Sequence, residues 1–228
     1  MKTNHIESLT CWTFSDEYGK PSDVKRKFYH VRFDDLGRAH ETVIFTSQDE
    51  KLASYFFQDY DSLGFLARTR FYRWQDGGDI FSDLRFTYDS DGHLVTVRNL
   101  DEAGEPLCRW DYRLNANGQP ASIWIVNSVP SDFRFLEEYH YDSEGNTTEE
   151  SWSFPNGNVK SWKYNYVFDE RKRLKEKTKF NADGSLDFHK EYRYDQRGLL
   201  VEKIISQPDI FTQPVRRLFE YQQHARSH

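Results

Sequence analysis

Long apolar runs are missing from this chain. No stretch approaches the roughly 20 consecutive apolar residues that a membrane-crossing helix needs. The opening residues, Met1-Lys2-Thr3-Asn4-His5-Ile6-Glu7, lack the apolar core of a secretory leader. Cysteine is scarce. Cys11 and Cys108 stand 97 residues apart, which excludes a disulfide-rich scaffold and a paired-cysteine zinc site. Nothing in their spacing pairs them, and a reduced, cytoplasmic setting is the simpler expectation. None of the eight histidines forms a close pair of metal-ligand spacing. A Gly-rich phosphate cradle and a G-x-S-x-G elbow are also absent. No metal, cofactor or catalytic constellation is therefore expected, and the chain does not read as an enzyme. Positive charge is not in excess either: 31 Lys and Arg against 37 Asp and Glu leave a net charge of -6, which disfavours nucleic-acid binding.

Aromatic residues, by contrast, are plentiful, at 17% of 228 residues. Such residues suit pleated, half-buried surfaces, and here they recur in phase. Tyr60-Asp61-Ser62-Leu63-Gly64, Tyr88-Asp89-Ser90-Asp91-Gly92, Tyr141-Asp142-Ser143-Glu144-Gly145 and Tyr194-Asp195-Gln196-Arg197-Gly198 are the clearest of eight tight-turn copies. Weaker copies end at Gly37, Gly118, Lys172 and Ala225, so successive ends lie 26 to 28 residues apart. A fixed period of this kind marks a repeat architecture. A second turn series, including Gly19, Gly77, Gly104, Gly157 and Gly184, falls midway between the first, with further stops near Pro130 and Pro208. Each repeat thus holds two strands and two turns, giving about sixteen strands in one domain over residues 1–228. Only 49–60 is ambiguous between helix and strand.

Before each turn, alternate positions are aromatic or apolar, as in Tyr139 and Tyr141 or Tyr192 and Tyr194, so each strand has one covered face and one wet face. A type I turn closed by a left-handed Gly sets Asp142 opposite Asn146, Tyr141 opposite Thr147, Tyr88 opposite Leu94, Phe168 opposite Leu174 and Tyr194 opposite Leu200. Lys172, at a Gly position, should carry backbone strain. The same register places Tyr139 across from Glu149, Tyr166 from Glu176 and Tyr192 from Glu202. Together with Glu41, these would form a phenol–carboxylate ladder that satisfies the tyrosine hydroxyls.

Tyr-Asp-x-x-Gly-x-Leu, with an aromatic two residues before the Tyr, resembles the YD repeat of Rhs-type proteins. Phe86 to Leu94 and Tyr192 to Leu200 carry the full pattern, and Tyr139 to Gly145 its first half. The resemblance implies an antiparallel ribbon of hairpins that curls. In large Rhs proteins such ribbons spiral into a hollow shell around a toxic domain. This chain is far too short to enclose a domain, and no self-cleavage segment or appended toxin is recognisable. The family's association with polymorphic toxins implies an immunity or accessory role toward a toxin effector.

The expected fold is therefore an all-β antiparallel meander curled into an open roll, a barrel-like sheet or a sandwich. The terminal strands, near Leu9 to Phe14 and Arg216 to Tyr221, are edges unless closure pairs them. For binding, three features stand out. One is an acidic zone of Glu137, Glu138, Glu149 and Glu150 across one hairpin, with Glu138 facing Glu150. Another is Trp124 and Trp152, expected in neighbouring strands. The third is a pair of Pro-bearing loops at 127–132 and 206–214. The expected function is a non-enzymatic protein-binding module, with a toxin domain as candidate partner and neither nucleic acid nor membrane. A carbohydrate-binding protein using aromatics on a curved sheet, and a structural module that self-associates through an open edge, are the alternatives. Oligomeric state stays open at this level.

Overall fold

The computed structural model describes residues 6–15, 21–46, 51–75, 78–127, 134–211 and 213–223. The turns expected at 16–19, 76–77 and 130–131, most of the 127–132 loop, and the last repeat end at 224–225 lie outside the described residues. The strands are β1 (Ile6–Ser15), β2 (Pro21–Phe33), β3 (Ala39–Phe45), β4 (Leu52–Tyr60), β5 (Leu66–Gln75), β6 (Gly78–Tyr88), β7 (Leu94–Leu100) and β8 (Pro106–Leu114). They continue with β9 (Pro120–Asn127), β10 (Arg134–Tyr141), β11 (Thr147–Ser153), β12 (Val159–Phe168), β13 (Leu174–Asn181), β14 (Leu186–Tyr194), β15 (Leu200–Ser206) and β16 (Val215–Gln223). The expected all-β, sixteen-strand meander is thus observed, and the ambiguous stretch at 49–60 contributes β4.

The meander closes. β1 pairs antiparallel with both β2 and β16, for example Cys11 with Tyr29 and with Phe219. Both terminal edges are consumed by this pairing. Self-association through an open edge, one of the sequence-level alternatives, loses its physical basis.

The turn chemistry is as the sequence predicts. In the Tyr141 hairpin, Gly145 N–H donates to Asp142 O (3.1 Å) and Asp142 N–H to Asn146 O (2.9 Å). The Asp142 carboxylate accepts from the N–H groups of Glu144 and Asn146 (2.9 and 2.8 Å). Gly64, Gly92, Gly145 and Gly198 all have φ between 83° and 90°. Lys172 adopts φ 60° in the equivalent place, the one non-Gly residue with positive φ among those described. Lys172→Gly should therefore stabilise the protein by about 1 kcal/mol. For a chain of this size that raises the melting temperature by ~2–4 °C, readable by calorimetry. An unchanged or lower midpoint would show that the left-handed lysine carries no strain.

Neighbouring repeats are tied by the conserved position of their tyrosines in the pattern. The hydroxyls of Tyr60, Tyr88, Tyr141, Tyr194 and Tyr221 donate to the carbonyls of Ala39, Leu66, Pro120, Leu174 and Leu200 at 2.7–2.9 Å. Each bond joins the first strand of one hairpin to the second strand of the preceding one.

The predicted pairs next to the turns are all present: Tyr141 with Thr147, Tyr88 with Leu94, Phe168 with Leu174 and Tyr194 with Leu200. One residue further on, every hairpin of this series contains a β-bulge. Thr148, Lys175 and Val201 are the extra residues in three of them. The register beyond the turn consequently differs from the expectation. Tyr139 faces Glu150, Tyr166 faces Lys177 and Tyr192 faces Lys203, while Glu149, Glu176 and Glu202 face His140, Val167 and Arg193. Bulges sharpen local twist and bend. Repeated around the sheet, they supply the curvature that a sixteen-stranded meander needs to close.

The two faces of the wall differ in burial. In β12, Trp162, Tyr164 and Tyr166 are half-buried, and Ser161, Lys163, Asn165 and Val167 between them are exposed. Side chains converge on a concave face and splay on a convex one, so the aromatic face lines the interior. Little of it is fully enclosed. Among the described residues, below 2% exposure lie only Thr13 and Cys11, where β1 pairs with β16, and Val215, where β16 pairs with β15. The accessible surface is 14902 Å², against about 11,000 Å² for a compact monomer of the same mass. A ring of sixteen strands has a perimeter of roughly 77 Å before tilt, wide enough to leave an open lumen, as in barrels of comparable strand number.

Candidate functional site

The inner wall of the barrel is built from two kinds of side chain. Between β10 and β14 it carries a run of rings in contact. Phe135 meets Trp152 edge-on (5.3 Å between centroids), Trp152 meets Trp162 (4.8 Å), and Tyr164 stacks with Tyr166 (6.3 Å). From β13 to β16 the wall turns basic, with Lys177, Lys179, Lys190, Lys203 and Arg217 all on the aromatic face. Lys179 is neutralised: it lies 3.5 Å from Glu150 and 3.8 Å from Asp187. The other four have no ion-pair partner among the described residues. Burial and mutual repulsion depress the lysines, and Lys190 falls to about 8, driven first by burial and then by Lys203, Lys177, Arg217 and Lys179. Burial likewise lowers Lys177 and Lys203, with further lowering from Lys179 and Arg217 respectively.

Acidic groups on the inner wall pair with phenols. Tyr139 donates to Glu137 (2.5 Å), and Tyr164 donates to Glu150, with burial and these carboxylates together raising both phenols. The sequence-level idea of phenol–carboxylate pairing thus describes the chemistry but not the partners.

The acidic zone expected for partner binding is divided by strand alternation and the Thr148 bulge. Glu137 and Glu150 point inward, whereas Glu138 and Glu149 are exposed on the outer face. Glu138 faces Ser151, not Glu150. Trp124 and Trp152 are not in neighbouring strands: β10 runs between β9 and β11. Trp124 is 43% exposed on the outer face, opposite Asp111 and Leu136, and Trp152 belongs to the inner ring run. Tyr60, Gly64, Tyr88, Gly92, Tyr141, Gly145, Tyr194 and Gly198 hold the turns and the inter-repeat bonds already described. The basic wall was missed in the sequence because its members carry no motif. Their signal is spacing: Lys177, Lys190, Lys203 and Arg217 lie 13, 13 and 14 residues apart, half the repeat period.

The outer face is a lattice of charge. Asp83 is clasped by Arg68 and Arg85, each at 2.8 Å, and Glu202 by Arg193 (2.7 Å) and Arg216. Burial works against ionisation of Asp83, but the two guanidinium groups hold it below the usual carboxylate range. Asp89, Asp91 and His93 bring one ligand atom each within 4.8 Å of one another, a grouping that histidine spacing alone does not reveal. Asp89 Oδ1 already accepts from the backbone N–H groups of Asp91 and His93 (2.9 and 2.8 Å), which is the bonding of the repeat turn. Cys11 and Cys108 are both free thiols.

No protein-family model matches the chain, and no curated protein matches it in sequence. Solved structures do. A porin-like protein from Bacteroides vulgatus aligns over 96% of this chain and 99% of its own, at 13% identity and a TM-score of 0.52. The likeness is one of fold. A porin-like protein from Bacteroides uniformis aligns over 96% and 98% at 9% identity, with a TM-score of 0.41. The structure of the TcdB2–TccC3–Cdc42 complex aligns at 15% identity and a TM-score of 0.36. There the match covers 89% of this chain and 14% of the other, so this chain spans about a seventh of that one.

Proposed function

We propose that the protein is a non-enzymatic binding module that works in water and engages a protein partner through the inner wall of its barrel. The observation that carries this reading is the wall itself: rings and cations held half-exposed around an open lumen, where a protein built only for stability would pack them away. Tryptophan, tyrosine and arginine, all present on this wall, are enriched at binding hot spots. The outer lattice of Arg and carboxylate supports an aqueous setting, since an arginine facing lipid costs about 2–4 kcal/mol near the bilayer midplane and a carboxylate somewhat less. The free thiols fit a reducing, cytoplasmic compartment. A toxin effector as the partner, neutralised or assisted by this chain, rests on the YD-repeat resemblance.

Capture from host lysate on immobilised protein, with one variant on each face, tests the reading. Tyr166→Ala on the inner wall should lower recovery of the partner by ~10-fold or more. Lys163→Glu on the outer face should leave it unchanged. Recovery that falls only with the outer change would place the binding surface outside and defeat the proposal. The contacting run Trp152, Trp162, Tyr164 and Tyr166 also favours a second reading, glycan stacking. A glycan array answered by inner-wall tryptophan fluorescence would reveal it.

A further inference from the structure

We propose that the four-strand stretch of inner wall from β13 to β16 is a docking site for an extended acidic segment of the partner. This deepens the binding reading above and rests on it.

Lys177 lies directly opposite Lys190, and Lys203 directly opposite Arg217. Lys203 also faces Tyr192, two residues from Lys190, so the four cations form one row across four successive strands. Like charges set directly across a sheet destabilise it. Here two such pairs adjoin, and no carboxylate among the described residues bonds to any of the four. What the cations touch instead are ring faces. Lys177 Nζ is 4.6 Å from the Tyr164 centroid, Lys190 Nζ is 3.6 Å from that of Phe188, and the Arg217 guanidinium is 4.1 Å from that of Phe28. Arg217 Nε is buried without a hydrogen-bond acceptor. A buried donor of a permanently charged group without an acceptor is costly and calls for one. The free barrel thus holds a concentrated positive field that the charge of Glu150 offsets at Lys177 but that no bonded carboxylate among the described residues neutralises, in a protein whose net charge is -6.

The length of the row selects the occupant. Four strands at ~4.8 Å spacing spread the charges over about 15 Å. One phosphate or sulfate group spans only one opposed pair. In an extended peptide, alternate side chains fall on the same face about 6.8 Å apart. Three acidic residues at alternate positions therefore cover the whole row, with the neighbouring rings left to contact the backbone and aliphatic stems.

The test is fluorescence anisotropy with a labelled peptide of alternating glutamate and threonine, with its lysine counterpart as control. Inorganic tripolyphosphate and a chondroitin sulfate oligosaccharide serve as competing anions. The expected result is binding of the acidic peptide alone, weakened ~10-fold or more in the double variant Lys190→Gln, Lys203→Gln. The same variant should melt at a higher temperature than the native protein, because it relieves repulsion. Binding and stability moving in opposite directions is a signature that a purely structural role does not give. Equal affinity of native and variant protein for the peptide overturns the proposal. Tighter binding of tripolyphosphate or of the sulfated sugar overturns the peptide as occupant. Lysate capture that survives the double variant but is lost in Tyr166→Ala would leave the binding module standing and remove only the acidic-segment site.

Discussion

Val215→Asp is expected to abolish the closed barrel. Val215 is 1% exposed, the most deeply buried aliphatic side chain described, and it packs opposite Ile205 where β16 joins β15. The substitution loses the packing against Ile205 and forces a carboxylate into a site with 1% exposure, where desolvation opposes its charge even with a cation further along the strand. Desolvated charge together with lost packing stands among the few causes of losses above about 4 kcal/mol. Typical domains hold only 5–15 kcal/mol in total. A repeat sheet whose ring opens beside β16 exposes pairing edges, so the variant should appear as aggregate or as a species melting ~10 °C or more lower. Val159→Asp is the control: Val159 is 63% exposed, and the change there should stay within about 0.5 kcal/mol. Equal midpoints for the two variants would mean that closure contributes little to stability.

Lys190→Met should do the reverse and stabilise the protein near neutral pH. In the folded state the Lys190 ammonium loses its proton at about 8; in the unfolded chain it does so near 10.4. The unfolded state therefore binds more protons between these values, and stability rises with pH across that window. Below pH 8 the charged lysine is a standing penalty. The full shift would correspond to about 3 kcal/mol. Lys190 is half-exposed, and solvent screening reduces that to about 1–2 kcal/mol. The groups that set its environment are Lys177 and Lys179 on β13, Lys203 on β15 and Arg217 on β16, with Tyr192 beside it on β14. The methionine variant should be more stable by that amount at pH 7, and its advantage should vanish by about pH 10.5. Denaturant titrations at pH 7, 8.5 and 10 would show it. Parallel curves for the two proteins would assign the lysine no repulsive cost.

These effects arise at positions that the sequence illuminates unevenly. Tyr-Asp-x-x-Gly at a 26- to 28-residue period specifies the turns, the strand number and the pairs adjoining each turn, because glycine geometry and aromatic alternation are local properties. Closure is not legible in the sequence because it depends on a single pairing between β1 and β16, at opposite ends of the strand order. The bulge after each turn is the more consequential omission. Thr148, Lys175 and Val201 share no residue type, so nothing in the letters marks them as extra. Yet each exchanges what lies across from the strand. Tyr192 meets Lys203 where Glu202 was expected, and the acid is turned outward to Arg193 and Arg216. The same one-residue step moves Glu138 from Glu150 to Ser151, and strand alternation puts Glu149 and Glu150 on opposite faces, which dissolves the acidic zone. A net charge of -6 then conceals a basic interior, because the composition says nothing about which face a residue occupies.

The tyrosine bonds between successive hairpins carry a consequence for how such a molecule changes over evolutionary time. Where a tyrosine holds the position, at Tyr60, Tyr88, Tyr141, Tyr194 and Tyr221, the strand is fastened to the hairpin before it by a hydroxyl–carbonyl contact, so a duplicated unit that carries the tyrosine arrives with its own fastening. One added repeat inserts two strands and lengthens the perimeter by roughly 9.6 Å. The bore of the barrel is thereby set in discrete steps by copy number, independently of any core that would have to be repacked. Width becomes a heritable quantity that tandem duplication can tune, while the chemistry of the wall is left to point substitution.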